Sequence, residues 1–201
     1  MNYTKFHNKC SEIEAKFGGT RDTKIRTCID TSIFDKSKSL LEIGAGKSYT
    51  FKQVCDDYYT LDTDTDLDVT WHDIFLIDRK FDYIIANQVL EHVKKSLLEQ
   101  TVKEWCDLLK KDGIILIMLP NIQYWMKQIG DFDHKHPMAY FHAGAFLELC
   151  GSVEIIDVYK YGKRVNAIQN ANETEQFLFA FMSKWFELDP FDFITIIARK
   201  K

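Results

Sequence analysis

The stretch Leu40-Leu41-Glu42-Ile43-Gly44-Ala45-Gly46-Lys47-Ser48 decides how this chain is read. Its apolar run ending in an acid predicts a buried parallel strand, and the two close glycines predict a tight turn at the strand's carboxyl end. Without Cβ atoms, Gly44 and Gly46 let the backbone bend sharply and let a ligand approach it. Spacing then separates the ligand classes. A phosphate-cradling loop needs Gly, four residues, then Gly-Lys-Ser/Thr. Gly46-Lys47-Ser48 supplies that tail, but Leu41 stands where the first glycine belongs. A dinucleotide fingerprint needs a third glycine three residues after the second, and Tyr49 occupies that place. What is left is acid-x-Gly-x-Gly after an apolar strand, which on its own is also compatible with plain strand-to-helix punctuation.

Three more segments follow it in order. Tyr58-Tyr59-Thr60-Leu61-Asp62 is a β-prone run whose acid lies 20 residues after Glu42, and a carboxylate at the end of a second strand can accept both hydroxyls of a ribose. Val69-Thr70-Trp71-His72-Asp73-Ile74 is a short apolar stretch with a carboxylate near its end; Asp73 there equally suits a helix cap. In Phe81-Asp82-Tyr83-Ile84-Ile85-Ala86-Asn87-Gln88-Val89-Leu90-Glu91-His92-Val93, an apolar strand is stopped by Asn87 and a Leu-Glu-His-Val start opens the next helix.

Together these segments, over residues 39–121, resemble the class I S-adenosylmethionine-dependent methyltransferases, in their small-molecule branch. The resemblance implies a three-layer, Rossmann-like α/β sandwich with a mostly parallel seven-stranded sheet and an antiparallel last strand. It also implies S-adenosylmethionine as methyl donor and S-adenosylhomocysteine as product. Glu42, Gly44, Ala45, Gly46 and Asn87 are the implied cofactor-binding residues, with Asp62 on the ribose and Asp73 and Ile74 at the adenine.

The rest of the chain is read around that core of residues 37–121. Residues 1–36 read as a helical leader, with helices over 3–17 and 21–34 separated by Gly18-Gly19. Lys47-Ser48 reads as the opening of the helix after the glycine turn. A helix is predicted over 95–110, its core face made by Leu98, Val102, Trp105, Cys106 and Leu109, followed by a strand from Ile114. Residues 122–201 read as a substrate segment and a C-terminal strand pair, over 153–161 and 191–198. A Phe-rich helix over 173–186 is expected to be core or the face of a homodimer. Between Asp62 and Val69 there is too little chain for a crossover helix. The alternating Asp62, Asp64, Asp66 and Asp68 lack the sixth-position glycine of a calcium loop, since Leu67 stands there.

Composition bounds the function classes. At 201 residues with 46% hydrophobic content, the chain is long enough for one domain with a full core. Five cysteines, without a Cys-x-x-Cys pair, suggest neither a disulfide framework nor a zinc site. No apolar run approaches the roughly 20 residues of a membrane helix, so a cytoplasmic protein is expected. The net charge of -4, with no stripe of Lys and Arg, argues against a nucleic-acid partner. The Asn-Pro-Pro-aromatic pattern of base-amine methyltransferases is also absent, since Gln88-Val89 follows Asn87.

The implied chemistry is an in-line displacement that positioning alone can accelerate. A hydroxyl acceptor of high pKa benefits from a histidine base near neutral pH. His92 has a positional reason, following the strand that ends at Asn87. His134 and His136, with His142, form a second group in an aromatic segment where the family places substrate-binding elements. Relatives that hold a divalent metal carry Glu-x-x-Glu-His at this helix start. Here the first glutamate is Gln88, and no metal is expected. The expected acceptor is a small or glycan-like polar molecule, methylated at oxygen. A P-loop-type nucleotide hydrolase and a non-catalytic relative that binds the cofactor or a partner are the rival readings.

Overall fold

The computed structural model describes residues 3–17, 24–26, 30–47, 49–120, 140–161, 172–174 and 193–201. Its strands are β1 (Lys24–Arg26), β2 (Ser39–Ile43), β3 (Asp57–Leu61), β4 (Phe81–Asn87), β5 (Leu109–Pro120), β6 (Val153–Tyr161) and β7 (Phe193–Lys200). They form one sheet in the order β1-β6-β7-β5-β4-β2-β3. Only β7 runs against its neighbours, pairing antiparallel with both β5 and β6; the other pairs are parallel.

Strands buried on both faces need apolar side chains at every position rather than at alternate ones, and the sequence provides them. All five residues of β2 are buried, as are Ile115 through Leu119 of β5. Alternation distributes these side chains to two cores. Leu41, Ile43, Ile84, Ala86, Ile115 and Ile117 point to one, while Leu40, Tyr83, Ile85, Leu116 and Met118 point to the other.

The first core is roofed by helices α1 (Tyr3–Phe17), α2 (Leu98–Asp107) and α3 (Tyr140–Leu149). The face of α2 that packs inward is Leu98, Val102, Trp105 and Cys106. Gly144 brings α3 close to its neighbours: a Cβ there would lie 2.8 Å from Ile155 Cδ1 and 3.2 Å from Ile13 Cδ1. The second core is closed, among the described residues, by irregular chain, through Ile33, Phe34, Phe51, Val54 and Cys55.

The resemblance implies seven strands and seven lie among the described residues, but one differs in identity. The third strand that the resemblance implies near the apolar stretch 69–74, with bounds the sequence leaves open, shrinks to a single parallel bridge between Leu61 and Trp71. Around that bridge the side chains bond locally: Thr70 pairs with Thr60, its backbone N–H donating to Thr60 Oγ1 at 2.9 Å, and Asp73 caps a 3-10 turn over Ile74–Leu76. The remaining strand is β1, inside the stretch read as a second leader helix over 21–34. Residues Lys24 to Arg26 pair with Tyr159 to Tyr161 at the opposite edge of the sheet, and Asp30 caps a 3-10 turn over Thr31–Ile33.

The helix expected to open at Lys47-Ser48 is also replaced, by turns over residues 50–54. Tyr49 takes a left-handed φ of 44°, which breaks helical winding. The start at Leu90 is a 3-10 turn, Leu90–His92, and the following α-helix begins only at Leu98. Leu109, expected at the end of that helix, opens β5 instead and pairs with Phe81. Of the Phe-rich segment over 173–186, Glu173 and Thr174 are described; the rest lies outside the described residues.

Candidate functional site

The carboxyl ends of β2, β3 and β4 lie side by side, and the glycine turn follows the first of them. Gly44 continues the ladder, its N–H donating to Leu61 O at 2.8 Å. Gly44 and Gly46 both adopt left-handed conformations, φ 69° and 54°, which an L side chain disfavours by roughly 1–2 kcal/mol. Their surroundings differ. A Cβ on Gly44 would come within 2.3 Å of Val89 Cγ2, whereas one on Gly46 would meet no heavy atom within 4 Å. Gly44 is therefore required by packing against the segment after β4, and Gly46 borders open space. Ala45 between them is buried.

Asp62, just past β3, reaches across to this turn. Its Oδ2 accepts the Gly46 N–H at 3.0 Å, and its Oδ1 accepts the Asp64 N–H at 3.1 Å. A carboxylate offers about four acceptor positions, so each oxygen keeps capacity for a further donor. Backbone bonds hold Asp62 in place: its N–H donates to Trp71 O at 3.1 Å, and its carbonyl lies 3.0 Å from His72 Nδ1. Asp64 in turn accepts from Asp66 N at 3.0 Å, so the acidic run winds through successive side-chain-to-backbone turns.

Asn87 ends β4 beside β2, and its side-chain Oδ1 is buried with no hydrogen-bond partner among the described residues. The next residue, Gln88, is left-handed at φ 54°. A buried polar atom without a partner costs on the order of 1–3 kcal/mol, and strained backbone of this kind collects at ligand sites.

Glu42 sits elsewhere than at the mouth. It is 1% exposed, beneath the turn, where its carboxylate accepts the Phe51 N–H at 3.2 Å and the Tyr58 hydroxyl. Burial raises its pKa against the pull of those hydrogen bonds. Asp73 is exposed, and its Oδ1 accepts the Phe75 N–H at 2.9 Å as a cap. Ile74, next to it, is partly buried against the first core.

Among the histidines, His92 is exposed while its neighbour Glu91 is 1% exposed. Glu91 is thus a second buried carboxylate close after β4. The sequence marks it only as half of an incomplete metal motif, because nothing in Leu-Glu-His-Val tells which of the two polar residues turns inward. His142 stacks on Phe6 of α1, ring centroids 6.1 Å apart. His134 and His136 lie outside the described residues. Among the described residues no cluster of three or more His, Cys, Asp or Glu is arranged to hold a metal ion. No described helix is long and apolar enough to cross a membrane. A cavity of about 380 Å³ lined by Lys38, Asp82, Lys111 and Arg199 opens at the opposite end of the sheet. The phosphate-loop reading loses its last support, since Leu41 is fully buried within β2.

Known proteins fall in line with this geometry. The chain has the fold of a crystallised S-adenosylmethionine-dependent methyltransferase from Archaeoglobus fulgidus, with 18% identity, complete coverage of both chains and a TM-score of 0.61. It likewise has the fold of the N-methyltransferase NodS from Bradyrhizobium japonicum, solved with S-adenosylhomocysteine (12% identity, 82% of this chain and 79% of that one, TM-score 0.52). A third is the 1,6-didemethyltoxoflavin-N1-methyltransferase of Burkholderia thailandensis, solved with its substrate and S-adenosylhomocysteine (11% identity, 100% and 80% coverage, TM-score 0.53). No curated protein sequence matches the chain. A family model described as a methyltransferase domain matches residues 20–150, and with the Rossmann-like sheet this establishes that the chain belongs to the class I methyltransferase-domain family.

Proposed function

We propose that this protein binds S-adenosylmethionine at the carboxyl ends of β2, β3 and β4 and transfers its methyl group to a hydroxyl of a small or glycan-like polar acceptor. The observation that carries the proposal is the Gly44-Ala45-Gly46 turn, open on its Gly46 side and tied by Gly46 N–H to Asp62. The free acceptor capacity of Asp62 suits two ribose hydroxyls. The buried, unpartnered Asn87 Oδ1 suits a donor such as an ammonium group. Asp73 spends one oxygen on its cap and keeps the other for an exocyclic amine, with Ile74 supplying an apolar contact. Glu42 enters this scheme as a positioning residue that ties the end of β2 to Phe51 and to Tyr58 of β3.

When bound, S-adenosylmethionine supplies an electrophilic methyl group on a sulfonium. The chain's residues have to hold the acceptor in line with it, keep water out, and take the hydroxyl proton. His92, exposed just beyond β4, and His134 and His136 are the proposed bases.

Titration calorimetry with S-adenosylhomocysteine tests the first half, and absence of binding would sink it. Methyl transfer from labelled donor to panels of hydroxyl and amine acceptors tests the second. Labelled amines with unlabelled hydroxyls would replace oxygen by nitrogen as the acceptor atom. Binding with no transfer to either panel would favour a non-catalytic relative.

A further inference from the structure

Five cysteines scattered through the sequence show no paired spacing, yet the fold brings two of them together. Cys106 lies on α2, and Cys150 immediately follows α3, 44 residues further along. Their sulfurs are 3.7 Å apart, in van der Waals contact. The two differ in access: Cys106 is fully buried, whereas Cys150 is partly exposed. We propose that this pair is an oxidation site, at which hydrogen peroxide converts the two thiols into a reversible Cys106–Cys150 disulfide tying α2 to the end of α3.

The unequal access fixes the order of events. Cys150 meets the oxidant first. Its thiolate sulfur attacks one peroxide oxygen; the S–O bond forms, the O–O bond breaks, and hydroxide leaves and is protonated to water. The Cys106 thiol, sheltered from the oxidant, then passes its proton to the Cys150 sulfenic oxygen as its sulfur attacks the sulfenic sulfur. The S–S bond forms, the S–O bond breaks, and a second water carries away the thiol proton and the sulfenic oxygen. Two thiols lose two electrons in all, and one peroxide is reduced to two waters.

The environment supports this division. The hydrogen bond shared with Cys106 pulls Cys150 down to about 6 and pushes Cys106 up, so the reachable sulfur is the one that ionises and the buried one keeps its proton. In its thiol form Cys150 donates to Leu147 O at 2.7 Å, a bond that ionisation gives up. Of the other described cysteines, Cys10 and Cys55 are buried, and burial first, with nearby carboxylates, pushes Cys55 up to about 11.

The test is to treat the reduced full chain with stoichiometric hydrogen peroxide, digest it without reductant and identify the crosslinked peptides by mass spectrometry. A peptide pair joining Cys106 to Cys150, lost on adding dithiothreitol and absent from Cys150→Ser, is expected; Cys106→Ala, should the serine variant not fold, must abolish it equally. The crosslink shortens the unfolded chain's freedom, so the oxidised wild type should melt roughly 5 °C higher than the reduced protein. Crosslinking of Cys150 to Cys10, Cys28 or Cys55 would overturn the proposal. So would irreversible Cys150 sulfinate with no crosslink, or a crosslinked protein that melts lower than the reduced one.

Discussion

The two ends of the parallel strands carry similar polar residues in opposite states. At the amino ends, Asp82 of β4 and Ser39 of β2 bond reciprocally. Asp82 Oδ2 accepts the Ser39 N–H at 3.0 Å and its hydroxyl at 2.7 Å, while the Asp82 N–H donates to Ser39 Oγ at 3.1 Å. Lys110 adds an ion pair at 2.7 Å. At the carboxyl ends of the same strands, Asn87 keeps a buried oxygen without a partner, Gly46 faces open space, and Gln88 is strained. The amino-end groups are satisfied within the fold, whereas the buried Asn87 oxygen at the carboxyl end has no partner among the described residues, as the proposed ligand site requires. The cavity of about 380 Å³ at the amino end lies at the end of the sheet opposite the proposed site.

The comparison is most easily broken at Asp82. Asp82→Ala should cost about 3 kcal/mol of stability in denaturant unfolding, because it removes three bonds to a charged acceptor, and should leave S-adenosylhomocysteine affinity unchanged. Burial raises the Asp82 pKa, but the bonds from Lys110 and Ser39 outweigh it and bring the group down to about 2 from an ordinary 3.8. A lowered folded value means stability that is present above the unfolded pKa and is lost as pH falls from about 4 toward 2. Asp82→Asn should flatten that acid limb; an unaltered limb would show that Asp82 is not held as described.

Asp62 should behave in the converse way. Asp62→Ala is expected to weaken S-adenosylhomocysteine binding by about 2 kcal/mol, roughly thirtyfold, with less than about 1 kcal/mol lost from the fold. A large loss of stability with intact affinity would move Asp62 to the structural side of the comparison.

The two glycines divide along the same line at smaller magnitude. Both left-handed positions resist a side chain, but Gly44→Ala adds a clash with Val89 and should destabilise by about 1 kcal/mol more than Gly46→Ala. Calorimetry should find the larger affinity loss in Gly46→Ala, relative to the stability each variant gives up. Equal ratios would mean that the space beside Gly46 is not where the ligand lies.

Much of this division was legible in the residues, and its limits have physical reasons. The apolar runs of β2, β4 and β5, short and bounded by turn residues, announced buried parallel strands, and Gly44 and Gly46 do occupy left-handed backbone. β1 escaped notice because three residues are too few for any periodicity, and only its pairing with β6 makes Lys24 to Arg26 a strand. The third strand near 69–74 fell to one bridge, beside which the Thr70 side chain accepts the Thr60 N–H and Asp73 caps a turn. Burial of Glu91 beside exposed His92 depends on how a single 3-10 turn is rotated, which residue types do not encode. The contact between Cys106 and Cys150 is set wholly by tertiary packing.

Glu42 gives the smallest expected effect and the sharpest sign. It belongs to the motif by sequence, yet it lies under the turn with its charge buried. Burial holds its folded pKa above the ordinary 4.5. The stability linked to a raised carboxyl is fully present below the unfolded value and is lost as pH rises through the folded one. This slope opposes that of Asp82. Glu42→Gln keeps an oxygen to accept from Tyr58 or Phe51 and removes the buried charge, so its stability at pH 7 should lie within about 1 kcal/mol of the wild type. Relative to the wild type, the variant should gain as pH rises from about 4.5 toward neutrality. S-adenosylhomocysteine affinity should scarcely change, because the buried side chain bonds to Phe51 and Tyr58 rather than facing the proposed ligand. If affinity collapsed while unfolding stayed the same, Glu42 would have to reach the ligand, and the line between the stitching and the binding polar groups would need to be redrawn through β2 itself.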